Sequence, residues 1–349
     1  MSTQLDPTTQ RPAEPAAADR RTWWGLAVLT LPVLLVSMDF SVLYLAMPAI
    51  TDALEPGATQ QLWILDIYGF LIAGLLITMG NVGDRIGRRR VLLAGAALFG
   101  VASVIAAFAP SAAVLIAARA LMGVGGATLM PSSLSLIANM FPDARQRGRA
   151  IGVWTAAFAG GSALGPVLGG VLLHHFWWGV VFLINVPVLA VLFILGPRLI
   201  PEYRARTSDP FDFVGVGLSM LGILPLVYAV KTMAAEGVAT GPVVIGVIGL
   251  AMLVVFIVHQ RNTRAPLLDV RLFGNAQFSA AVVVALVGMM ALGGMAYLTS
   301  VYLQSVMGHD VLSAALAGLP MAVAVAVFSL GATRAADAIG TRAAFVGSV

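Results

Sequence analysis

Ten apolar stretches follow one another along this chain, at roughly 23–47, 61–80, 91–109, 112–137, 149–173, 178–197, 212–232, 241–259, 276–303 and 312–333. Each has the length, about 17–25 residues, that a helix needs to cross the hydrocarbon of a bilayer. Inside hydrocarbon every backbone N–H and C=O must find a partner within its own segment, which restricts such stretches to α-helices. Composition agrees. The 349 residues are 59% hydrophobic and 10% charged, against about 25% charged in a soluble domain. Soluble burial cannot absorb so much apolar surface, so the fold class is an all-α integral membrane bundle. Its windows are rich in Gly and Ala, as closely packed membrane helices tend to be.

Charge sets the orientation. An isoelectric point near 9.8 suggests nucleic acid at first sight, but the basic residues do not share one face. They sit in the N-terminal tail and in every second connection, which together hold 18 of the 20 Lys and Arg. The odd-numbered connections hold only Lys231, and Arg119 lies inside a span. By the positive-inside rule the N-terminus is cytoplasmic, in the inner (plasma) membrane of a cell, with no nucleic-acid partner. Residues 1–22, rich in Pro, Ala and polar side chains, read as a disordered cytoplasmic tail. The long polar lead and the length of the first apolar run argue against a signal peptide. Cysteine is absent, which excludes a disulfide framework, a thiolate metal site and a catalytic thiol.

The turn Gly80-Asn81-Val82-Gly83-Asp84-Arg85-Ile86-Gly87-Arg88-Arg89-Arg90 has a worn copy in which Asp337, Gly340 and Arg342 keep the spacing of Asp84, Gly87 and Arg89. A short basic turn between two spans, met twice, marks an internal repeat. The copies stand eight helices apart where a plain six-plus-six duplication would put them six apart, so two helices are inserted between the halves. The expected organisation is a six-helix bundle over 23–197, a cytoplasmic linker over 198–211, an inserted pair over 212–260 and the beginning of a second bundle over 261–349. The chain is expected to stop early in an eleventh apolar stretch that opens near Ala343.

Polar groups inside spans are expensive and usually face a cavity. Asp39 and Asp66 are the carboxylates well inside the windows, and Arg119 is the buried cation. At 1.5 Å per residue all three fall in one slab of the outer half of the bundle. An Asp presented in turn to a dry pocket and to water can take up and release a proton; the plainer reading is a structural Asp–Arg pair. In the basic turn, Gly80, Gly83 and Gly87 allow close approach or unusual dihedrals, and Asp84 is placed to cap a helix N-terminus. Arg85, Arg88, Arg89 and Arg90 serve equally well as topology anchors. Gly161, Gly165 and Gly169 fall on one helix face beside Pro166 and Gly170, which permits close packing and a bend. Trp63, Tyr68, Trp154 and Phe158 could offer rings to an organic cation, though aromatics in spans are more often lipid-facing anchors. His174 and His175, in a loop, read as solvated rather than as metal ligands. No Gly-rich phosphate loop with Lys points to ATP, and no nucleophile–base set points to an enzyme.

These residues resemble the major facilitator superfamily, specifically its 14-helix drug:proton antiporters. The resemblance runs through the Gly80–Arg90 turn, the helix around Arg119 with Gly123, Gly125 and Gly126, the Gly161-x-x-x-Gly165-Pro166-x-x-Gly169-Gly170 run, and Met38-Asp39 ahead of Ala46-Met47-Pro48. Leu62-Trp63-Ile64-Leu65-Asp66-Ile67-Tyr68 and Phe182-Leu183-Ile184-Asn185-Val186-Pro187 look most like the branch that exports quaternary ammonium compounds and methyl viologen. The resemblance implies about 10 helices of an expected 14, and a monomer in the lipid bilayer. It implies efflux of small hydrophobic or cationic substrates by alternating access, driven by protons with no cofactor and no metal. It makes the Gly80–Arg90 turn a conformational switch whose partner lies in a late helix, and the helix-5 glycines a guard against leakage. Other cargo (an antibiotic, a siderophore or a lipid) and a non-transporting membrane fragment stand as alternatives.

Overall fold

The computed structural model describes residues 18–205, 212–264 and 266–309, with scattered positions between 313 and 328. The described residues are helical throughout, with no strand among them: α1 (Arg20–Leu54), α2 (Ala58–Ile86), α3 (Arg88–Ala107), α4 (Ala112–Met140), α5 (Ala144–His175), α6 (Val180–Leu183), α7 (Asn185–Leu199), α8 (Phe213–Glu236), α9 (Thr240–Asn262) and α10 (Ala276–Val301). α6 and α7 together fill one span. Pro187, in the first turn of α7, has no N–H to give the Leu183 carbonyl, and the helix is interrupted at Ile184. Asn185 at the break is buried and donates from Nδ2 to Ser103 Oγ of α3 at 3.1 Å.

Among the described residues, eight helices are long and apolar enough to cross a membrane, and α10 occupies the ninth window. The chain is a multi-pass membrane protein. The tenth window lies for the most part outside the described residues, and Asp337, Gly340 and Arg342 lie outside them altogether. The expected tail needs one correction. Most of residues 1–22 is likewise undescribed, but Arg20, Arg21 and Thr22 belong to α1, because Asp19 accepts the Thr22 N–H at 2.7 Å and so starts the helix.

Packing follows the glycine and alanine positions. α1 lies along α5, α4 is flanked by α2 and α3, and α7 lies against α1 and α3. A single core cluster joins them, with Leu35, Tyr68, Phe99, Phe141 and Phe182 enclosed. α8 and α9 pack chiefly on each other, and α8 touches the rest of the bundle along α2. Polar contacts brace the pair at its arginine-rich end. Asp212 caps α8 through Gly215 N–H at 2.7 Å and meets His259 Nε2 and Gln260 Nε2, each at 2.8 Å. The connection after α9 is tied down as Asn81 Nδ2 of α2 donates to Leu267 O at 2.9 Å.

Candidate functional site

The centre of the bundle holds one enclosed ion pair. Asp39 stands midway along α1 and Arg119 two turns into α4, and Arg119 Nη1 donates to Asp39 Oδ2. Both side chains are 1% exposed. The guanidinium is held from two further sides: Nε donates to Ile64 O of α2 at 3.2 Å, and its carbon lies 4.6 Å from the centre of the Tyr68 ring. A cation over an aromatic face at that range is attracted by the ring quadrupole. Asp39 Oδ1 and Arg119 Nη2 make no hydrogen bond among the described residues. Leaving a buried carboxylate without a counter-charge is strongly unfavourable, and Arg119 supplies that charge here.

Helix α5 closes this site from the α1 side. A Cβ at Gly165 would stand 2.9 Å from Met38 O and overlap Ser41 Oγ; one at Gly161 would overlap Ser37 Oγ, and one at Gly169 would press on Val42 Cγ2. Three bare positions thus let α5 lie directly on the α1 segment that carries Asp39. Pro166 and Gly170 are half-buried, and α5 runs unbroken through Pro166.

Asp66 is not part of that cluster. It points to the opposite side of α2, where Lys231 Nζ of α8 donates to its Oδ1. The pair borders a cavity of about 310 Å³ shared with Trp63, Phe70 and Tyr228. Asp66 is two positions on from Ile64, a rotation of about 200°, enough to place one at the ion pair and the other at the α8 seam. The expected single slab of three charges is therefore two sites: Asp39 with Arg119, and Asp66 with Lys231. The aromatic set is corrected too, since it does not line one cavity. Tyr68 is wholly buried with Arg119 on its ring, and Trp63 borders the Asp66 cavity. Trp154 and Phe158 stack along α5 with centres 6.4 Å apart, and Trp154 Nε1 donates to Ser133 Oγ of α4 at 3.0 Å.

The basic turn is built around Gly87, whose φ of +124° suits glycine. Asp84 does not cap a helix, contrary to expectation. It pairs with Arg88 one turn on, accepting from Nε at 2.8 Å. The α3 terminus is instead served by Glu202, whose Oε1 accepts the Arg89 N–H at 2.9 Å. Carboxylates near helix N-termini are favoured by the helix dipole, and the segment after α7 brings this one in. Arg88 N–H donates to Tyr203 O at 2.8 Å, Ala205 N–H to Asp84 O at 3.0 Å, and Arg89 Nη1 to Ile200 O at 2.9 Å. Gly80 and Gly83 lie on the α2 side facing Arg88, where a Cβ at Gly83 would meet Arg88 Cδ at 2.9 Å. Arg85 shares this end of the bundle. Glu202 and Lys231 escaped the sequence reading. The available signal for Glu202 was an acid set among Arg198, Arg204 and Arg206 of the linker; for Lys231 it was being the only basic residue in the odd-numbered connections.

The described residues hold no group of three or more His, Asp or Glu placed to bind a metal. An enclosed acid–base pair in a glycine-seamed helical bundle, with an arginine-studded turn at one end, describes a membrane carrier. The sequence profile of the Major Facilitator Superfamily matches residues 29–349, and the chain belongs to that superfamily, whose members are carriers rather than enzymes. It is 46% identical over 336 residues to the multidrug efflux pump LfrA of Mycolicibacterium smegmatis, covering 96% of this chain and 66% of LfrA. It is 38% identical over 305 residues to the methyl viologen resistance protein SmvA of Salmonella typhimurium, covering 87% of this chain and 62% of SmvA. The chain thus spans somewhat less than two thirds of the length of these relatives. The names of these two relatives, a multidrug efflux pump and a methyl viologen resistance protein, agree with the branch that the motifs resemble. A crystal structure of the peptide transporter POT in complex with sulfate has the same fold, with a TM-score of 0.55 at 18% identity over 91% of this chain and 69% of that one.

Proposed function

We propose that the chain belongs to a proton-coupled multidrug exporter that expels hydrophobic and quaternary ammonium cations by alternating access. One observation carries this reading: the Asp39 carboxylate, enclosed at mid-span, is held by Arg119 through one oxygen while the other is open. A proton on Asp39 would free Arg119, and a cation would compete with Arg119 for the same charge, so proton and cargo occupy the site in turn. That exclusion is what couples two fluxes. Asp66 offers a second carboxylate for the exchange on the opposite face of α2. The glycine seam between α1 and α5 lets the α1 segment bearing Asp39 move as α5 shifts, without side chains to interlock. The basic turn, braced by Glu202 and the Asp84–Arg88 pair, holds the arginine-rich end together and would have to loosen in the alternate state.

In this reading the protein lies in the inner (plasma) membrane with its N-terminus cytoplasmic and works as a monomer. It needs no cofactor beyond the proton gradient. The test is Asp39→Asn in reconstituted vesicles loaded with a quaternary ammonium dye. Proton-driven dye movement is expected to fall to background while dye equilibration without a gradient persists. Unchanged gradient-driven movement in the Asn variant would end the coupling role.

A further inference from the structure

The seam between α2 and α8 is furnished for a ligand. Its cavity of about 310 Å³ is at the lower end of the range of small-molecule sites, about 300–1,000 Å³. Trp63 and Phe70 meet edge to face with ring centres 6.2 Å apart, and Tyr228 completes an aromatic wall. The lining holds one carboxylate, Asp66, and one cation, Lys231. Lys231 Nζ rests against Asp66 and lies 5.4 Å from the centre of the Phe70 ring. An ammonium touching a carboxylate with an aromatic face alongside is the contact set that an organic cation seeks. Here the chain's own ammonium makes it.

We infer that this cavity is a second organic-cation site, separate from the Asp39–Arg119 pair, and that Lys231 is its built-in competitor. Lys231 is 48% exposed and Asp66 18%. A half-solvated pair on a flexible lysine stem is weak, so a ligand with rings to stack and a diffuse charge displaces it without first freeing a fully enclosed partner, as it would have to at the Asp39–Arg119 pair. The ligand class follows from the lining. A hard metal ion wants several oxygen ligands, which one carboxylate does not supply. An anion would meet Asp66. The site lies near the Ala58 end of α2 and the Glu236 end of α8, opposite the arginine-rich turns. In an exporter that is the discharge side, and a tethered ammonium returning to Asp66 would hinder departing cargo from rebinding. The direction of travel rests on the exporter reading above; the binding site does not. This also assigns the α8–α9 pair a task, which is to carry the competitor.

The experiment is equilibrium binding of tetraphenylphosphonium to the protein in lipid nanodiscs at one pH, with no gradient. Lys231→Met should tighten binding by about two- to fivefold, the range that removal of a half-exposed ion-pair competitor allows. Adding Asp66→Asn to Lys231→Met should abolish the gain, whereas Lys231→Arg should bind like the parent. Asp39→Asn with Lys231→Met should keep the gain, which separates this site from the central pair. Parent-like affinity in Lys231→Met, or a gain that survives Asp66→Asn, would overturn the assignment. Loss of the gain with Asp39→Asn would place the cation at the central pair instead and overturn it too. Gradient-driven efflux that survives Asp39→Asn would remove the coupling reading while leaving the binding result intact.

Discussion

Arg119 of α4 and Asp39 of α1 meet as a fully enclosed ion pair although 80 positions separate them in the chain. The arginine is fastened to a third helix through Ile64 O and to an aromatic face through Tyr68. The pair therefore joins α1, α2 and α4 at the level where cargo would pass, and the two partners do not contribute alike.

Removing one partner should be far worse than removing both. Arg119→Ala leaves Asp39 buried without its counter-charge, which costs about 3–5 kcal/mol; the melting temperature in detergent should fall accordingly. The double variant Asp39→Leu with Arg119→Met replaces the pair by apolar groups and should recover most of that loss. It should nevertheless show no gradient-driven efflux, because stability and coupling are separate uses of the pair. A single Arg119→Ala variant that melts like the parent would contradict this account.

The glycine seam makes a position-specific prediction. Gly165→Leu forces a side chain into Met38 O and Ser41 Oγ and should cost about 1–3 kcal/mol by overpacking. Gly160, five residues earlier in α5 and on another face, meets nothing within 4 Å, so Gly160→Leu should leave the melting point near that of the parent. Equal effects at the two positions would show that general helix propensity, not the α1–α5 contact, governs this stretch.

The basic turn depends on backbone geometry and on Glu202 together. Gly87→Ala must hold φ near +124° and bring a Cβ within 2.8 Å of Glu202 Oε1; a non-glycine residue strained in this way costs about 1–3 kcal/mol. Glu202→Ala frees the α3 terminus and should cost about 1 kcal/mol, as lost helix caps do. Protease accessibility of the 198–205 segment is the direct readout, rising in both variants. Asp84→Asn should do less, because its ion pair with Arg88 is local and partly solvated.

Acid should loosen the α8–α9 pair at its arginine-rich end. Burial opposes the charge on Asp212, but hydrogen bonds from His259, Gly215 N–H and Gln260 outweigh it and hold the carboxyl below its ordinary value of 3.8. A carboxyl with a lowered folded-state value contributes stability that is present above the unfolded value and lost as pH falls through the folded one. Hydrogen exchange in the first turn of α8 should therefore stay slow from neutrality down to about pH 4 and rise below it. In Asp212→Asn that step should vanish, with the first turn exchanging faster at neutral pH as well.

Much of the architecture was legible because membrane insertion acts on one segment at a time. Whether 20 residues can cross a bilayer depends on those residues alone, so nine of the windows correspond to α1 through α10, with α6 and α7 sharing one, and the alternation of arginines told which ends lie together. The glycines of α5 were legible as a packing face for a similar reason: their spacing repeats with the helix. Asp39 and Arg119 stood out because charge inside an apolar window needs a partner.

What the partners are was another matter. Asp66, Asp39 and Arg119 look equivalent along the chain, each a charge some turns into a span. Only the rotation of α2 turns Ile64 toward Arg119 and Asp66 toward the α8 seam, where Lys231, 165 positions later, meets it. Glu202 takes over the α3 terminus, which Asp84 adjoins in sequence, because the segment after α7 folds back onto the turn. The sequence by itself determined the spans and their order, since these follow from the local cost of placing residues in hydrocarbon. The tertiary structure alone decided which buried charge faces which. That choice depends on how ten helices are rotated and seated against one another, and no single segment contains that information.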